Sequence, residues 1–245
     1  MKWTRFTRLA KRREPRPDPD RRHRGLGKHL AFYRVLDACA RPECPICYLT
    51  RLRVERYFEG LLYEKVNDLS IRDRFRAAGG FCNAHSHQFM GYSDVLAGSI
   101  MYRDLLSTWL RRRDDLPVQS SSGALPGCPA CIEKTRTEDT YLSVMVKFLD
   151  DEQMKTALLS SDGLCLPHLV MMERKLRGDR RGAPDWLVDF HRDLLERILH
   201  ALDACVDSCN FSLGDRRPQL SREQELTWKR ALRKIAGFSL SGGNR

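Results

Sequence analysis

No run of about 18 apolar residues occurs in this 245-residue chain, so an α-helical membrane span is not expected. The first residues are basic and carry no apolar segment, which does not fit a secretory signal. A cytoplasmic location is therefore expected. Thiols stay reduced there, and paired cysteines more often hold metal than form disulfides. No Walker loop, GxGxxG, GxSxG or HExxH motif is present, so the common phosphate-cradling, nucleophile-elbow and zinc-protease signatures are missing. Strand signals are missing too: there is no sustained period-two alternation, and no Asn-Gly or Asp-Gly hairpin lies between apolar runs. The fold class read from this is all-α.

The net charge of +11 suggests nucleic acid, but its distribution weakens that suggestion. Residues 1 to 28 hold eleven Lys or Arg against three Asp or Glu, a net of +8. The other 217 residues carry 32 basic and 29 acidic groups, a net of only +3. Residues 1–27, with Pro15, Pro17 and Pro19 among the charges, read as a basic, disordered tail. Such a tail could neutralise phosphates, which leaves nucleic acid as an alternative partner.

What the sequence does have is a duplicated cysteine pattern. Cys44-Pro-Ile-Cys47 is followed by Gly80-Phe-Cys82-Asn-Ala-His85, and Cys128-Pro-Ala-Cys131 by Gly163-Leu-Cys165-Leu-Pro-His168. The offset is 84 for the CxxC cysteines and for Tyr57 against Tyr141, but 83 for the GxCxxH group. One residue is thus lost between the two anchors, near the turn between helices. Periodicity and breakers place a helix before Pro42, one from the first CxxC to about Asn67, and a short one through Ala78 that Ser70 could cap. A further short piece follows from Cys82, then a long helix capped by Ser93, through Leu96, Ile100, Leu105 and Trp109. Residues 114–127 read as a linker. The pattern then restarts and ends in a long helix carrying Trp186, Phe190, Leu194 and Ile198. The expected organisation is a first zinc-clamped repeat (28–113), a second (128–212), and a C-terminal amphipathic helix and tail (213–245). Trp228 is expected to anchor that last helix to the core.

Each repeat supplies three thiols and one imidazole, a complete four-ligand set for tetrahedral zinc in a closed structural site. The expected ligands are Cys44, Cys47, Cys82 and His85 in one site, and Cys128, Cys131, Cys165 and His168 in the other, giving two zinc ions per chain. Both ligand pairs of each repeat fall at helix starts, where free N–H groups and a partial positive charge suit an anionic thiolate centre. Iron–sulfur ligation and a redox use of the CPxC pairs are the competing readings. Haem attachment fails, because Tyr48 and Ile132 follow the pairs where His is needed. His87 is read as a surface group or a neighbour that supports the ligands, rather than a ligand, since its repeat partner is Val170. Cys39, Cys205 and Cys209 are read as small apolar residues rather than a third site. His191 and Glu196, among Asp185, Asp189 and Asp193, are read as part of a solvated face.

The runs CPICxL, YFEGLLYEKVND and GGFCNAHS, the second copy CPAC with DGLCLPHL, and the late TWKRALRKIAG resemble the bacterial family catalogued as domain of unknown function 6062. The resemblance covers roughly residues 30 to 237, and the second repeat reads KFLDDE where the first has the YEKVND stretch. It implies a helical protein with paired metal-type motifs and no assigned activity. The expected function is a non-enzymatic, zinc-stabilised helical module presenting a surface to a macromolecular partner. A thiol-based redox or metal-responsive switch is the alternative. An enzyme using the groove between the repeats is a third reading that no residue singles out.

Overall fold

The computed structural model describes residues 30–111, 127–208, 221–222 and 226–237. The expected basic tail (1–27), nearly all of the expected linker (114–127) and Cys209 lie outside the described residues. Ten α-helices occupy the described chain: α1 (Leu30–Cys39), α2 (Pro45–Gly60), α3 (Leu69–Ala77), α4 (Asn83–Met90) and α5 (Val95–Arg111), then α6 (Pro129–Lys147), α7 (Glu152–Leu159), α8 (Leu166–Gly178), α9 (Asp185–Ser208) and α10 (Thr227–Ala236). The all-α expectation holds, with no strand among the described residues. In chain order, α2 to α5 follow the first CxxC pair and α6 to α9 follow the second, with α1 before them and α10 after.

The one-residue difference between the repeats has a physical location. Where α6 ends at Lys147, α2 continues into a π-helical turn, Leu61–Lys65. A π-turn closes five residues back instead of four, so it absorbs one extra residue inside a helix without breaking it. The offset between the repeats is 84 at Tyr57 and 83 at Asp68, so the additional residue falls between them and the π-turn takes it up. Asp68 and its counterpart Asp151 cap α3 and α7, each accepting from two main-chain N–H groups. The cap is therefore Asp68 rather than the expected Ser70, whose own N–H is one of the donors, 2.8 Å away. At α5 the cap is Asp94 rather than Ser93, with the Ala97 N–H 2.9 Å from its carboxylate. The buried row of α5 is correspondingly Ala97, Met101 and Leu105, and Leu96 is exposed.

α2 and α6 form the centre, packed along their lengths. They run antiparallel: the first turns of α2 lie by Tyr141, and its last turns lie by Pro129 and Ile132. Each helix contributes to two cores. Ile46, Cys47 and Leu49 at the start of α2 join α1, the second half of α6, α7 and α8. Val54, Phe58 and Leu61 at its end join α3, α4 and α5, together with Cys128 and Ala130 from the start of α6. Phe58 is fully buried, with the rings of Phe81, Tyr92 and Phe89 centred 5.1, 5.7 and 5.8 Å away.

Two tight turns return the chain to this pair. Gly80 and Gly163, equivalent in the repeats, have φ of +100° and +65°. A side chain at Gly163 would also meet Phe190 at 3.0 Å, so glycine is required there for both conformation and space. The C-terminal helix packs on α8 and α9. Its orientation differs from expectation: Trp228, Leu232 and Ile235 are exposed, and Thr227 and Lys234 are the buried residues. Lys234 is the anchor because its ammonium finds carbonyls to bond, as described below.

Candidate metal centres

All eight expected ligand residues come together in two groups, but the pairing is crossed. Cys44 and Cys47 meet Cys165 and His168, while Cys128 and Cys131 meet Cys82 and His85. The expectation that each repeat closes its own site is corrected. The reason is the stiffness of α2. The returning chain places Phe81 against Tyr57 and Phe58, at the far end of α2 from its CxxC pair. Phe58 lies eleven positions after Cys47 along the helix, a rise of about 16 Å that no donor set can bridge. The antiparallel neighbour begins where α2 ends, so its CxxC pair stands where the first repeat's CxxH pair arrives.

Each pair opens a helix. Cys44, Cys82, Cys128 and Cys165 are the residues that immediately precede α2, α4, α6 and α8, and proline follows within two positions in three of the four. Two helix N-termini therefore point at each cluster. The main-chain N–H groups of Cys82 and Cys131 bond the Cys128 sulfur, as expected for an anionic centre at helix starts.

In the first centre, His168 Nδ1 lies 3.5, 3.4 and 3.0 Å from the sulfurs of Cys44, Cys47 and Cys165. Cys47 and Cys165 are 3.7 Å apart. In the second, His85 Nδ1 lies 3.1, 3.3 and 3.7 Å from Cys82, Cys131 and Cys128, and Cys82 to Cys131 is 3.6 Å. A tetrahedron with metal–sulfur bonds near 2.3 Å and metal–nitrogen bonds near 2.05 Å has edges of about 3.8 Å for S···S and about 3.55 Å for S···N. The donor sets fit such an ion. Without a cation the thiols compete for protons. A side-chain bond from Cys131 pulls Cys128 down to about 3, and Cys131 in turn is pushed up. Burial opposes ionisation of Cys44, yet bonds from Cys165, Cys47 and His168 hold it low, while Cys47 is pushed up. A bound cation relieves this conflict by stabilising several thiolates at once.

The two centres differ in what surrounds them. His168 Nε2 lies 3.2 Å from the buried Glu138 carboxylate, which also pairs with Lys134 at 2.9 Å. Burial works against ionisation of Glu138, but these two partners hold its pKa below the ordinary range. A carboxylate on the outer nitrogen orients a metal-binding imidazole and strengthens its bond. At His85 the equivalent of Glu138 is Val54, and Nε2 is buried with no hydrogen-bond partner among the described residues. The first centre is also covered by α10. A methyl group at Gly237 would stand 3.5 Å from the Cys165 sulfur and 3.9 Å from that of Cys47. Lys234 Nζ donates to the Asp162 carbonyl and to that of Gly163, 3.1 Å away, holding the loop that leads into Cys165. All four ligands of this centre are buried, whereas Cys131 of the second is partly exposed.

Four residues of this surrounding shell, Glu138, Lys234, Gly237 and His191, escaped the sequence reading. The expected solvated face holds for Asp185, Asp189, Asp193 and Glu196, which are exposed, but not for His191, which is buried. It accepts from the Leu164 N–H at 3.0 Å through Nε2 and donates to the Leu187 carbonyl at 2.8 Å through Nδ1, which fixes its tautomer. Burial lowers its pKa. The i−4 carbonyl was readable from helical spacing, but the partner 27 residues upstream was not. His87 is exposed, as expected. Cys39 is buried and its thiol is pushed up to about 12 by that burial and by Cys44 nearby. Among the described residues the only ligand groups are the two centres, and Cys39 and Cys205 join neither.

No family model matches this chain, and no solved structure matches it. The chain is 33% identical over 135 residues to a curated protein described as an uncharacterised 23.9 kDa protein in the xynA 3′ region of Caldicellulosiruptor sp. (strain Rt8B.4). That match covers 54% of this chain and 66% of the relative, just under two thirds of its length.

Proposed function

We propose that this chain is a zinc-stabilised helical interaction module in which two closed Cys3His centres lock the α2–α6 pair and the helices that cross it. The carrying observation is that each centre gathers four protein donors, three sulfurs and one nitrogen, at tetrahedral spacing. Four protein ligands leave no open position of the kind a catalytic zinc uses. Thiolate-rich, imidazole-containing sets favour zinc, and its binding free energy is then folding free energy. Membership of the domain of unknown function 6062 family belongs to the same reading and rests on the motif runs quoted above. Elemental analysis of the purified chain tests it. Two zinc per chain are expected; iron with visible absorption, or no bound metal in a fully folded protein, overturns it.

A second reading is a thiol-based or metal-responsive switch. It is favoured by the partly exposed Cys131 in the centre that lacks a carboxylate behind its histidine. Peroxide treatment followed by zinc quantitation separates the readings: release of one equivalent supports the switch, and release of none opposes it.

A further inference from the structure

Beyond residue 28 the chain is almost electrically balanced, yet one face of the α2–α6 pair is strongly cationic. Two adjoining cavities of about 320 and 560 Å³ open there and share Arg53, Arg56, Glu133 and Arg136. Arg34 of α1 and Arg41 in the turn that follows it line one end, and Lys65 of the π-turn and Arg74 of α3 line the other. Against these seven cations stand two carboxylates, Asp37 and Glu133. The face thus carries a net +5, more than the +3 of the whole chain after residue 28.

The repeat explains how the charge is concentrated. Leu49, Leu52, Arg53 and Arg56 on α2 correspond by the 84-residue offset to Glu133, Arg136, Thr137 and Thr140 on α6, and all eight line the first cavity. The approximate two-fold axis of the antiparallel pair therefore runs through this face. The two halves have diverged so that arginines project from both helices onto it. Glu133 sits between them. Its carboxylate accepts from Arg53 Nε at 2.8 Å and lies 3.9 Å from Arg136 Nη1. It occupies the place that an oxygen of an anionic ligand would take. The side chains of Arg53 and Arg136 are 55% and 74% exposed, so their remaining donors reach solvent.

We propose that the cleft between α2 and α6 binds the phosphate backbone of a single-stranded nucleic acid. Cations are distributed along both cavities rather than gathered at one point, which suits a chain of phosphates more than one anion. α2 alone is about 24 Å long, enough to track several nucleotides. A concave cleft between helices does not match the flat surface of a bilayer. Guanidinium groups bond phosphate oxygens in a fork, and the Tyr48 ring is already flanked by Arg41 and Arg51 at 5.5 and 5.4 Å. Recognition therefore falls on the backbone and is tolerant of base sequence. The proposal rests on the zinc-clamp reading, because the two helices that form the cleft are the ones the metal centres tie together.

The test is fluorescence anisotropy of the full chain with a labelled single-stranded RNA of about twelve nucleotides across a salt series. Arg53→Glu/Arg136→Glu is expected to weaken binding at least tenfold and to reduce the slope of log K against log salt by about 1.4, since each phosphate contact contributes about 0.7. Glu133→Gln is expected to strengthen binding several-fold by freeing both guanidinium groups. Unchanged affinity and slope in the double variant would place binding elsewhere, as in the first 28 residues, and overturn the proposal. So would no binding at 50 mM salt, or competition by polyglutamate of equal charge as strong as that by unlabelled RNA. Zinc content and helicity are measured on the same samples. Their loss in the wild-type chain would count against the clamp reading rather than the cleft. If the double variant alone loses zinc, Glu133→Gln decides.

Discussion

The two centres should release metal at different rates, and one residue should account for much of the difference. In the covered centre the Glu138 carboxylate lies 3.2 Å from His168 Nε2; in the other, Val54 holds the equivalent position and His85 Nε2 is without a partner among the described residues. Replacing Glu138 with Val gives the covered centre the surroundings of the other. Losing an outer-shell partner of a metal-binding histidine weakens metal affinity by about 10- to 100-fold, or about 1.4 to 2.7 kcal/mol. Lys134, left without its carboxylate, is 40% exposed and can turn to water, so it adds little to this figure. With excess chromophoric chelator the wild-type chain is expected to lose zinc in two phases of one equivalent each, separated by at least tenfold. Glu138→Val should bring the slow phase towards the fast one and leave the fast phase unchanged. Cys82→Ser, which keeps only the covered centre, should show the slow phase alone. A single phase in the wild-type chain, or a slow phase unmoved by Glu138→Val while two zinc are still bound at the start, would refute the reasoning.

The crossed pairing can be read by stoichiometry: Cys82→Ser/Cys128→Ser removes two ligands from one centre and should retain one zinc, whereas Cys44→Ser/Cys82→Ser damages both and should retain none. Closure within each repeat would give the opposite results in the two double variants. Phe58→Ala should cost about 3–5 kcal/mol in chemical denaturation, because the ring is fully buried among Phe81, Phe89 and Tyr92; a loss under 1 kcal/mol would show that this core collapses around the gap. His191 is held neutral, with its folded pKa lowered by burial from an unfolded value of about 6.5. Its contribution to stability is therefore present above about pH 6.5 and is lost as pH falls through the lower folded value. The zinc-loaded His191→Gln variant should lose less stability than the wild-type chain between pH 7.5 and 5.5; equal losses would rule out His191 as the titrating group.

The ligand set was legible in the sequence because metal chemistry demands particular side chains at particular local spacings, and duplication displayed them twice. The helix starts at Cys44, Cys82, Cys128 and Cys165 were legible for a similar local reason, as was the turn at Gly80 and Gly163. The pairing was not, because it depends on which end of α2 the returning chain reaches, a matter of helix length and antiparallel packing. The same limit explains α10. Its apolar row of Trp228, Leu232 and Ile235 suggests docking on that side, but the helix is fixed by Lys234 reaching carbonyls at Asp162 and Gly163, about 70 residues earlier. The π-turn shows the reverse case: a single-residue mismatch in the repeat arithmetic located the irregularity to within one inter-anchor segment, although not its form.

Crossed closure also bears on where such a chain could have come from. A lone repeat carries a CxxC pair and a CxxH pair held at opposite ends of a rigid helix, so it contains two half-sites and no whole one. Two identical copies, set antiparallel about a two-fold axis, would complete both at once. The smallest unit that can bind metal in this architecture is therefore a dimer of repeats. Duplication within one gene would preserve that dimer as a single polypeptide. Once the halves were covalently joined, each could change without the other following. Glu138 where the other half has Val54, the cover of α10 on one centre only, and arginines massed on one shared face are differences that a symmetric homodimer could not have acquired.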